Sequence, residues 1–378
     1  MALQISYYIL SILGLVKKKS KSLTVLMLFV MWLVFGLCTY NGDFPLYSTV
    51  YDNIQNFGYW TEFEPLFNVM MFGCSILGLN FIQFRMVFGA LFLLLLNYTI
   101  GKYTVNKAEV LGLYMVFPYL WGISVIRSAF AGILVMLAYH DIIVGKNKKK
   151  KFWLLMITAS LIQFTSIFFV AYYFFRNRKI KPLLIIIVAT ISIGGVVGYY
   201  FGVFYRIASL LTSNYRRLKW FDPANSSQKL KWSIYLIIIL LVVIYLCYRA
   251  RKESHRYEMS LGISNKYADE IFYLSLTMLV LVPTFFVTNA SNRFIWQFLL
   301  FCMVTYAKND ECRLQTGKWN LLSVRMENLI LIACLIFFAY YSNLPYRGTY
   351  NDEYLAFQNN LIYGQYDWDT WRQWYWGK

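Results

Sequence analysis

Charged residues are scarce in this sequence, since Asp, Glu, Lys and Arg make up only 14% of its 378 residues. Hydrophobic residues make up 59%, and apolar runs recur from one end to the other. A run of about 18 apolar residues can span a bilayer as a helix, and the remainder is too short for a soluble domain of ordinary size. We therefore predict an all-α, polytopic membrane protein. It forms one membrane domain over residues 1–378 with about 10–12 transmembrane segments, some of them re-entrant or broken.

Histidine is nearly absent, since the chain contains only His140 and His255. They are far apart, and no spacing typical of metal ligands surrounds them. The six cysteines form no CxxC pair and mostly lie inside apolar runs, which is typical of small packing residues. A glycine-rich phosphate loop, a GxSxG elbow and an HExxH helix are also missing. We predict neither a bound metal nor a cofactor.

Acidic residues are half as numerous as basic ones, 18 against 36, so the formal net charge is +18. A nucleic-acid-binding protein gathers such charge on one face or along one helix. Here the charge is divided among short clusters between apolar runs, such as residues 146–151. This is the pattern of loops on the cytoplasmic side of a membrane. We therefore predict that the protein contacts a lipid bilayer and no nucleic acid.

The order of apolar runs and basic clusters predicts a topology. Residues 1–16 form a short helix whose lysine-rich end lies inside, and residues 23–39 cross outward. Three segments are therefore predicted outside: loop 40–65, loop 202–231 and the aromatic tail 343–378, the last as an interfacial belt. The sequence also has apolar runs near 110–125, 232–248 and 294–306. Residues 249–256 are predicted inside, and residues 307–318 are predicted to form a mixed inner loop.

Two apolar runs do not fit a simple crossing. Run 66–79 would extend about 21 Å as a helix, less than the ~30 Å hydrocarbon core, so we predict a shallow or re-entrant segment. Run 152–175 has basic clusters on both sides and the polar residues Gln163, Thr165 and Ser166 at its middle. A helix broken at 163–166 that enters and returns keeps both clusters inside. Broken helices at membrane depth occur where they line a cavity or are buried in protein.

The polar stretch at residues 40–67 interleaves carboxylates with aromatic side chains. Asp43 and Glu64 lie in it together with Tyr47 and Tyr51. Acids among aromatics near a bilayer surface suit sugar chemistry on a lipid-anchored substrate, in which Asp43 and Glu64 act as general base or acid or orient hydroxyls. An interfacial loop has the same composition, and the same acids could form structural salt bridges with arginines.

Several arginines are unusual in position. Arg127 stands alone between two apolar runs, and Arg293 lies in the similar stretch TNASNRFIWQF. Arg206, Arg216 and Arg217 lie on a loop predicted outside, against the positive-inside bias. Charged groups near membrane depth usually mark function, and the planar guanidinium suits phosphate oxygens. The alternatives are snorkelling for Arg127 and a cytoplasmic position for the basic loop.

Short motifs in this order resemble the EpsG-type branch of the Wzy-like bacterial polysaccharide polymerases. They are GDFPLY at residues 42–47, EPLF at 64–67, IRSAFA at 126–131 and SNRFIW at 291–296. The chain departs from the family pattern at two positions. Gln163 stands near a polar break where the family often has histidine, and Ser128 follows Arg127 in place of glutamine.

The resemblance implies a metal-independent glycosyltransferase in the bacterial cell (inner) membrane, with its active site facing the periplasm or exterior. It would transfer a glycan from a polyprenyl-diphosphate carrier to the non-reducing end of another lipid-linked unit, and a chain-length regulator is a further expected partner. The implied roles cover ten residues: catalysis by Asp43, Glu64 and Arg127; diphosphate binding by Arg127, Arg206, Arg216, Arg217 and Arg293; glycan binding by Tyr47, Tyr51 and Gln163.

Two other functions remain open from the sequence. The first is a glycosyltransferase that uses a polyprenyl-monophosphate sugar, which would depend mainly on one acid such as Asp43. The second is a flippase or transporter of lipid-linked oligosaccharide, which would leave chain length unchanged. The absence of an inverted repeat and the few intramembrane charges disfavour the transporter.

Overall fold

The computed structural model describes residues 2–38, 41, 43–58, 63–144, 148–175, 193–195, 197–198, 201–211, 226–262, 265–282, 285, 292–314, 326–342 and 357. This part of the chain is helical, and no β-strand occurs in it. Its α-helices are α1 (Ala2–Val16), α2 (Lys21–Gly36), α3 (Phe44–Phe57), α4 (Pro65–Ile76), α5 (Phe81–Tyr103), α6 (Lys107–Val116), α7 (Tyr119–Gly122), α8 (Ile126–Ile143), α9 (Lys149–Ile162), α10 (Val170–Phe175), α11 (Val203–Leu211), α12 (Ser226–Leu261), α13 (Lys266–Thr277), α14 (Asn292–Leu314) and α15 (Met326–Ser342).

Three of the described segments are long and apolar enough to cross a membrane: Phe81–Tyr103, Ile126–Ile143 and Ser233–Arg256. Several shorter helices are equally apolar: Ala2–Val16, Lys21–Gly36, Pro65–Ile76 and Phe164–Tyr173. The prediction of an all-α membrane protein is confirmed. Helix α4 has 12 residues, too few for a simple crossing. Its re-entrant course and the total of about 10–12 segments stay predictions.

The chain separates into two compact units that alternate along the sequence. The first contains Met1–Ile133, Ser160–Phe164 and Trp319–Lys378, and the second contains Leu134–Ala159 and Thr165–Lys318. The single membrane domain over residues 1–378 stays a prediction.

Helices α1 and α6 of the first unit pack with their backbones in close contact. A Cβ at Gly112 would lie 2.7 Å from the carbonyl oxygen of Ser11, and one at Gly14 would lie 2.5 Å from that of Ala108. The Ser11 hydroxyl donates to the Gly112 carbonyl at 2.8 Å. Small residues permit such approach between membrane helices, where van der Waals packing and interhelical hydrogen bonds drive association.

Helix α3 lies inside the stretch that the sequence predicts as an external loop over 40–65, so part of that loop is helical. Pro45 lies in the first turn of α3, where its fixed φ suits a helix start. Gly58 ends α3 with a φ of 61°, a left-handed conformation that favours glycine. The external side of this segment stays a prediction.

The apolar run near 110–125 is divided between two helices and the residues that follow them. Helix α6 ends at Val116, and α7 and α8 follow after short breaks. Pro118 lacks a backbone N–H and its ring prevents the preceding residues from continuing the helix. Because α8 begins afresh at Ile126, Arg127 lies in the first turn of a new helix.

Residues 249–256, which are predicted inside, are helical, and so are residues 307–314 of the predicted inner loop 307–318. Helix α12 continues through 249–256, and α14 continues to Leu314. Lys, Arg and Glu are good helix formers, so a helix need not end where its apolar part ends. Buried amides join these extensions in the second unit: Asn265 Nδ2 donates to Asn309 Oδ1 at 2.8 Å, and Asn309 Nδ2 donates to the Ala250 carbonyl at 2.8 Å.

The predicted break in run 152–175 is confirmed. Helix α9 ends at Ile162, a 3-10 helix occupies Phe164–Phe169, and α10 follows. The return of this segment to the inner side stays a prediction. Loop 202–231 is helical at both ends, in α11 and the start of α12, and its residues 212–225 lie outside the described part. The predicted tail 343–378 is described only at Phe357, whose ring packs 5.4 Å from that of Tyr7.

Candidate functional site

Arg127 lies in an aromatic cluster in the first unit. Its guanidinium carbon is 4.2 Å from the ring centroid of Phe63, 5.7 Å from that of Tyr47 and 5.8 Å from that of Phe67. The rings come from α3, from the residues before α4 and from α4 itself, and the arginine comes from α8. Aromatic faces attract a cation more strongly where water is scarce. The cluster therefore stabilises the positive charge of Arg127 in the first turn of the apolar helix α8.

Glu64 forms an ion pair with Arg127. The Arg127 Nη1 donates to Glu64 Oε2, and the side chains are only 12% and 18% exposed. The Arg127 Nε donates to the Tyr47 hydroxyl at 3.3 Å, whereas Nη2 has no hydrogen bond with any described residue. The carboxylate of Asp43 also attracts the Arg127 guanidinium. Asp43 is the half-buried N-cap residue of α3, and its side chain makes no capping hydrogen bond.

The break after α9 supplies the second partner of Glu64. The backbone N–H of Phe164 donates to Glu64 Oε1 at 2.9 Å. An amide at a helix start has no intrahelical acceptor, so a carboxylate from elsewhere in the chain can accept its hydrogen bond. Glu64 therefore connects the start of α4, the start of α8 and the broken segment, and both its oxygens accept hydrogen bonds.

The three predicted glycan-binding residues are all buried. Tyr47 is 1% exposed and Gln163 is 5% exposed. Tyr47 accepts a hydrogen bond from Arg127, and Gln163 directly precedes Phe164, whose amide binds Glu64. Tyr51 packs against Phe81 and Phe84. Its hydroxyl donates to the Leu79 carbonyl at 2.7 Å, and burial, with smaller contributions from Cys74 and Asp52, raises its pKa to about 12. Glycan contact by these residues stays a prediction, and the packing of Tyr51 is that of a structural residue.

The other predicted arginines belong to the second unit or are not described. Arg206 is exposed on α11, and Arg293 is half-buried in the first turn of α14. Arg216 and Arg217 lie outside the described residues. The predicted convergence of these arginines with Arg127 and the two acids stays a prediction.

Three further residues, Phe63, Phe67 and Arg85, were not predicted from the sequence as part of this region. Phe63 precedes the EPLF motif and Phe67 is its last residue. Their positions on either side of Glu64 could have indicated an aromatic cluster. Arg85 lies within the apolar run of α5 and is 0% exposed. A charge inside such a run is itself a signal of function.

No metal-binding group is found in the described part of the chain, where no three His, Cys, Asp or Glu side chains are placed to hold an ion together. The predicted absence of a metal and a cofactor stays a prediction.

Comparison with protein families gives a match over nearly the whole chain. The model of the EpsG family matches residues 21–359, which is nearly the whole chain. No curated protein matches, and no solved structure matches. The matched region contains Asp43, Glu64, Arg127 and the broken segment at Gln163, and it extends through every helix from α2 to α15. The chain belongs to the EpsG family.

Proposed function

We propose that the protein is a polysaccharide polymerase that acts on the outer face of the bacterial cell membrane. It transfers a glycan from a polyprenyl-diphosphate carrier to the non-reducing end of another lipid-linked repeat unit. Membership of the EpsG family supports a role of the polysaccharide-polymerase type, and the apolar helices fit a membrane protein. The observation that carries the finer proposal is Arg127, a largely buried cation with unused donors beside two acids.

Arg127 binds the leaving diphosphate in this proposal. When the bond between the anomeric carbon and the diphosphate oxygen breaks, negative charge develops on that oxygen. The Nη2 donors of Arg127 can bind it, because Nη1 and Nε are already occupied by Glu64 and Tyr47. Fixed donors at a developing charge lower the barrier in a site with little water. We propose further diphosphate contacts from Arg206, Arg293 and the Arg216–Arg217 pair.

Asp43 is the better candidate for the general base. The acceptor hydroxyl attacks the anomeric carbon, the new glycosidic bond forms as the bond to diphosphate breaks, and the hydroxyl proton passes to a carboxylate. Both oxygens of Glu64 are engaged by Arg127 and the Phe164 amide. We therefore assign the proton to Asp43 and assign Glu64 to the positioning of Arg127. We propose that Tyr47 and Gln163 contact the glycan and that the mechanism uses no metal.

Reconstitution tests this proposal. The full-length protein in lipid nanodiscs is supplied with a polyprenyl-diphosphate-linked oligosaccharide, and product length is read on a gel. Removal of an oxyanion donor or a general base lowers turnover by about 100-fold or more, so Arg127→Ala and Asp43→Asn should each lose elongation to this extent. Arg256→Ala and Asp52→Asn remove an exposed arginine and an exposed acid and should keep it.

The same assay separates the competing functions. With a polyprenyl-monophosphate sugar supplied as donor, a polyprenyl-monophosphate-dependent enzyme would be active, would lose this activity in Asp43→Asn and would retain most of it in Arg127→Ala. A transporter would move the oligosaccharide across the bilayer and leave its length unchanged. Either result would overturn the proposal.

A further inference from the structure

Arg85 is a charged side chain enclosed in the first unit. Its Nη2 donates to the Phe35 carbonyl at 3.1 Å, and its guanidinium carbon lies 5.3 Å from the ring centroids of both Phe35 and Phe44. Its Nε and Nη1 are buried and have no partner among the described residues. Burying a cation with unused donors is costly, so packing alone does not explain an arginine here.

Arg85 joins the end of α2 to the start of α3. Phe35 carries one of the last carbonyls of α2, which lie at the negative end of the helix dipole and lack intrahelical donors. Phe44 is the first residue of α3. The guanidinium thus binds an acceptor on one side of the linker 37–43 and a ring on the other, and attraction to both rings adds to this link.

The linker 37–43 bears directly on the candidate site. It ends at Asp43, and Tyr47 lies one turn further on and accepts from Arg127. Within the linker, the Asn41 Nδ2 donates at 3.0 Å to the carbonyl of Ile123, shortly before α8. Arg85 also acts electrostatically on the Tyr47 hydroxyl, so cations from α5 and α8 both act on that group.

We propose that Arg85 is a positioning residue for glycosyl transfer, which holds the end of α2 and the start of α3 together so that Asp43 and Tyr47 keep their places beside Arg127. This inference rests on the proposed function. Arg85 does not touch the substrate; it acts through the start of α3.

Kinetics of the full-length protein in nanodiscs test this role. Arg85→Met should lower kcat for elongation at least tenfold and leave KM for the donor within about threefold, because binding by Arg127 persists. Arg85→Lys should recover part of kcat, since it keeps the charge at the end of α2. Lys102→Met removes an exposed cation from the same helix and should match the wild type.

A double-mutant cycle separates positioning from general stabilisation. If Arg85 acts through Asp43, Arg85→Met should lower kcat by less than twofold in the Asp43→Asn background. Equal losses in both backgrounds, or an unchanged kcat in Arg85→Met, would overturn the inference.

Hydrogen exchange gives a readout that does not depend on activity. In Arg85→Met, peptides that cover residues 37–47 should exchange at least fivefold faster, and those of α12 and α14 should be unchanged. Unchanged exchange at 37–47, or faster exchange throughout the first unit, would overturn the positioning role. If the wild type makes no polymer, the proposed function fails, and this measurement still decides whether Arg85 holds the linker.

Discussion

At the scale of single residues, Arg127 and Glu64 form a largely buried ion pair in the first unit. Two charges that are 12% and 18% exposed lose much of their hydration, and mutual attraction must offset that loss. The pair has additional support, since Tyr47 accepts from Arg127 and the Phe164 amide donates to Glu64. Either charge alone would lack this balance.

Removal of one partner should therefore destabilise the protein more than removal of both charges. Glu64→Gln keeps the shape of the side chain and leaves the guanidinium unpaired, which costs about 3 kcal/mol. The double change Glu64→Gln with Arg127→Gln should recover part of this loss, since no charge remains. Thermal unfolding in nanodiscs, followed by tryptophan fluorescence, measures both.

Asp52→Asn is the matched control for that experiment. It removes an exposed acid from α3, and its effect should stay within about 0.5 kcal/mol. A Glu64→Gln protein as stable as Asp52→Asn would show that the pair contributes little to folding.

At the scale of helices, the sequence predicted those elements whose residues carry a strong local signal. The polar residues at Gln163–Ser166 indicated a break, and the short apolar run after Glu64 indicated a helix too short to cross. The sequence analysis overlooked Pro118 as the end of α6 and Pro45 as the start of α3, although proline is a readable signal at both places.

Other features were not readable because they depend on partners distant in sequence. The polar extensions of α12 and α14 are held by Asn265 and Asn309 across helices. The contact of Glu64 with the Phe164 amide joins residues 100 positions apart. Hydropathy reports the apolar part of a helix but not these tertiary hydrogen bonds, so residues 307–314 resembled a loop.

The close approach of α1 and α6 gives a prediction at this scale. Gly112→Ala places a Cβ 2.7 Å from the Ser11 backbone oxygen, which cannot move as a flexible side chain would. We expect a loss of about 1–3 kcal/mol from this overpacking, measured by thermal unfolding. Gly73→Ala on α4 meets no atom within 4 Å and should gain up to about 1 kcal/mol from helix propensity. Equal effects of the two changes would contradict the packing of α1 on α6.

A buried cysteine pair offers a second check on packing, within the second unit. Cys247 of α12 and Cys302 of α14 have their sulfur atoms 3.0 Å apart, and both thiols are free. A membrane-permeant oxidant such as copper phenanthroline should join them, and peptide mapping without reductant should show the 247–302 link. Cys302→Ser is the control that should abolish it. A link from Cys247 to another cysteine would contradict this contact.

At the scale of the whole molecule, the proposed function requires the site to face outward, and the charge distribution predicts the sidedness of the segments around it. Lys19 follows α1 and Lys148 precedes α9, both within basic clusters expected inside. Asn56 is exposed near the end of α3, in the segment expected outside. If these assignments hold, Arg127 and Asp43 reach the outer face, where a lipid-linked glycan is extended.

Cysteine labelling of intact cells tests this arrangement. In a background with the partly exposed Cys74 and Cys334 changed to Ser, a membrane-impermeant maleimide should label Asn56→Cys at once. Lys19→Cys and Lys148→Cys should react only after permeabilisation. Arg178→Cys should behave like Lys148→Cys, because the segment broken at Gln163 is predicted to return to its own side. Labelling of Asn56→Cys only from the inside would remove the basis for an outer-face polymerase. Labelling of Arg178→Cys alone from the outside would mean that the broken segment crosses the membrane completely, and the predicted side of the site would not change.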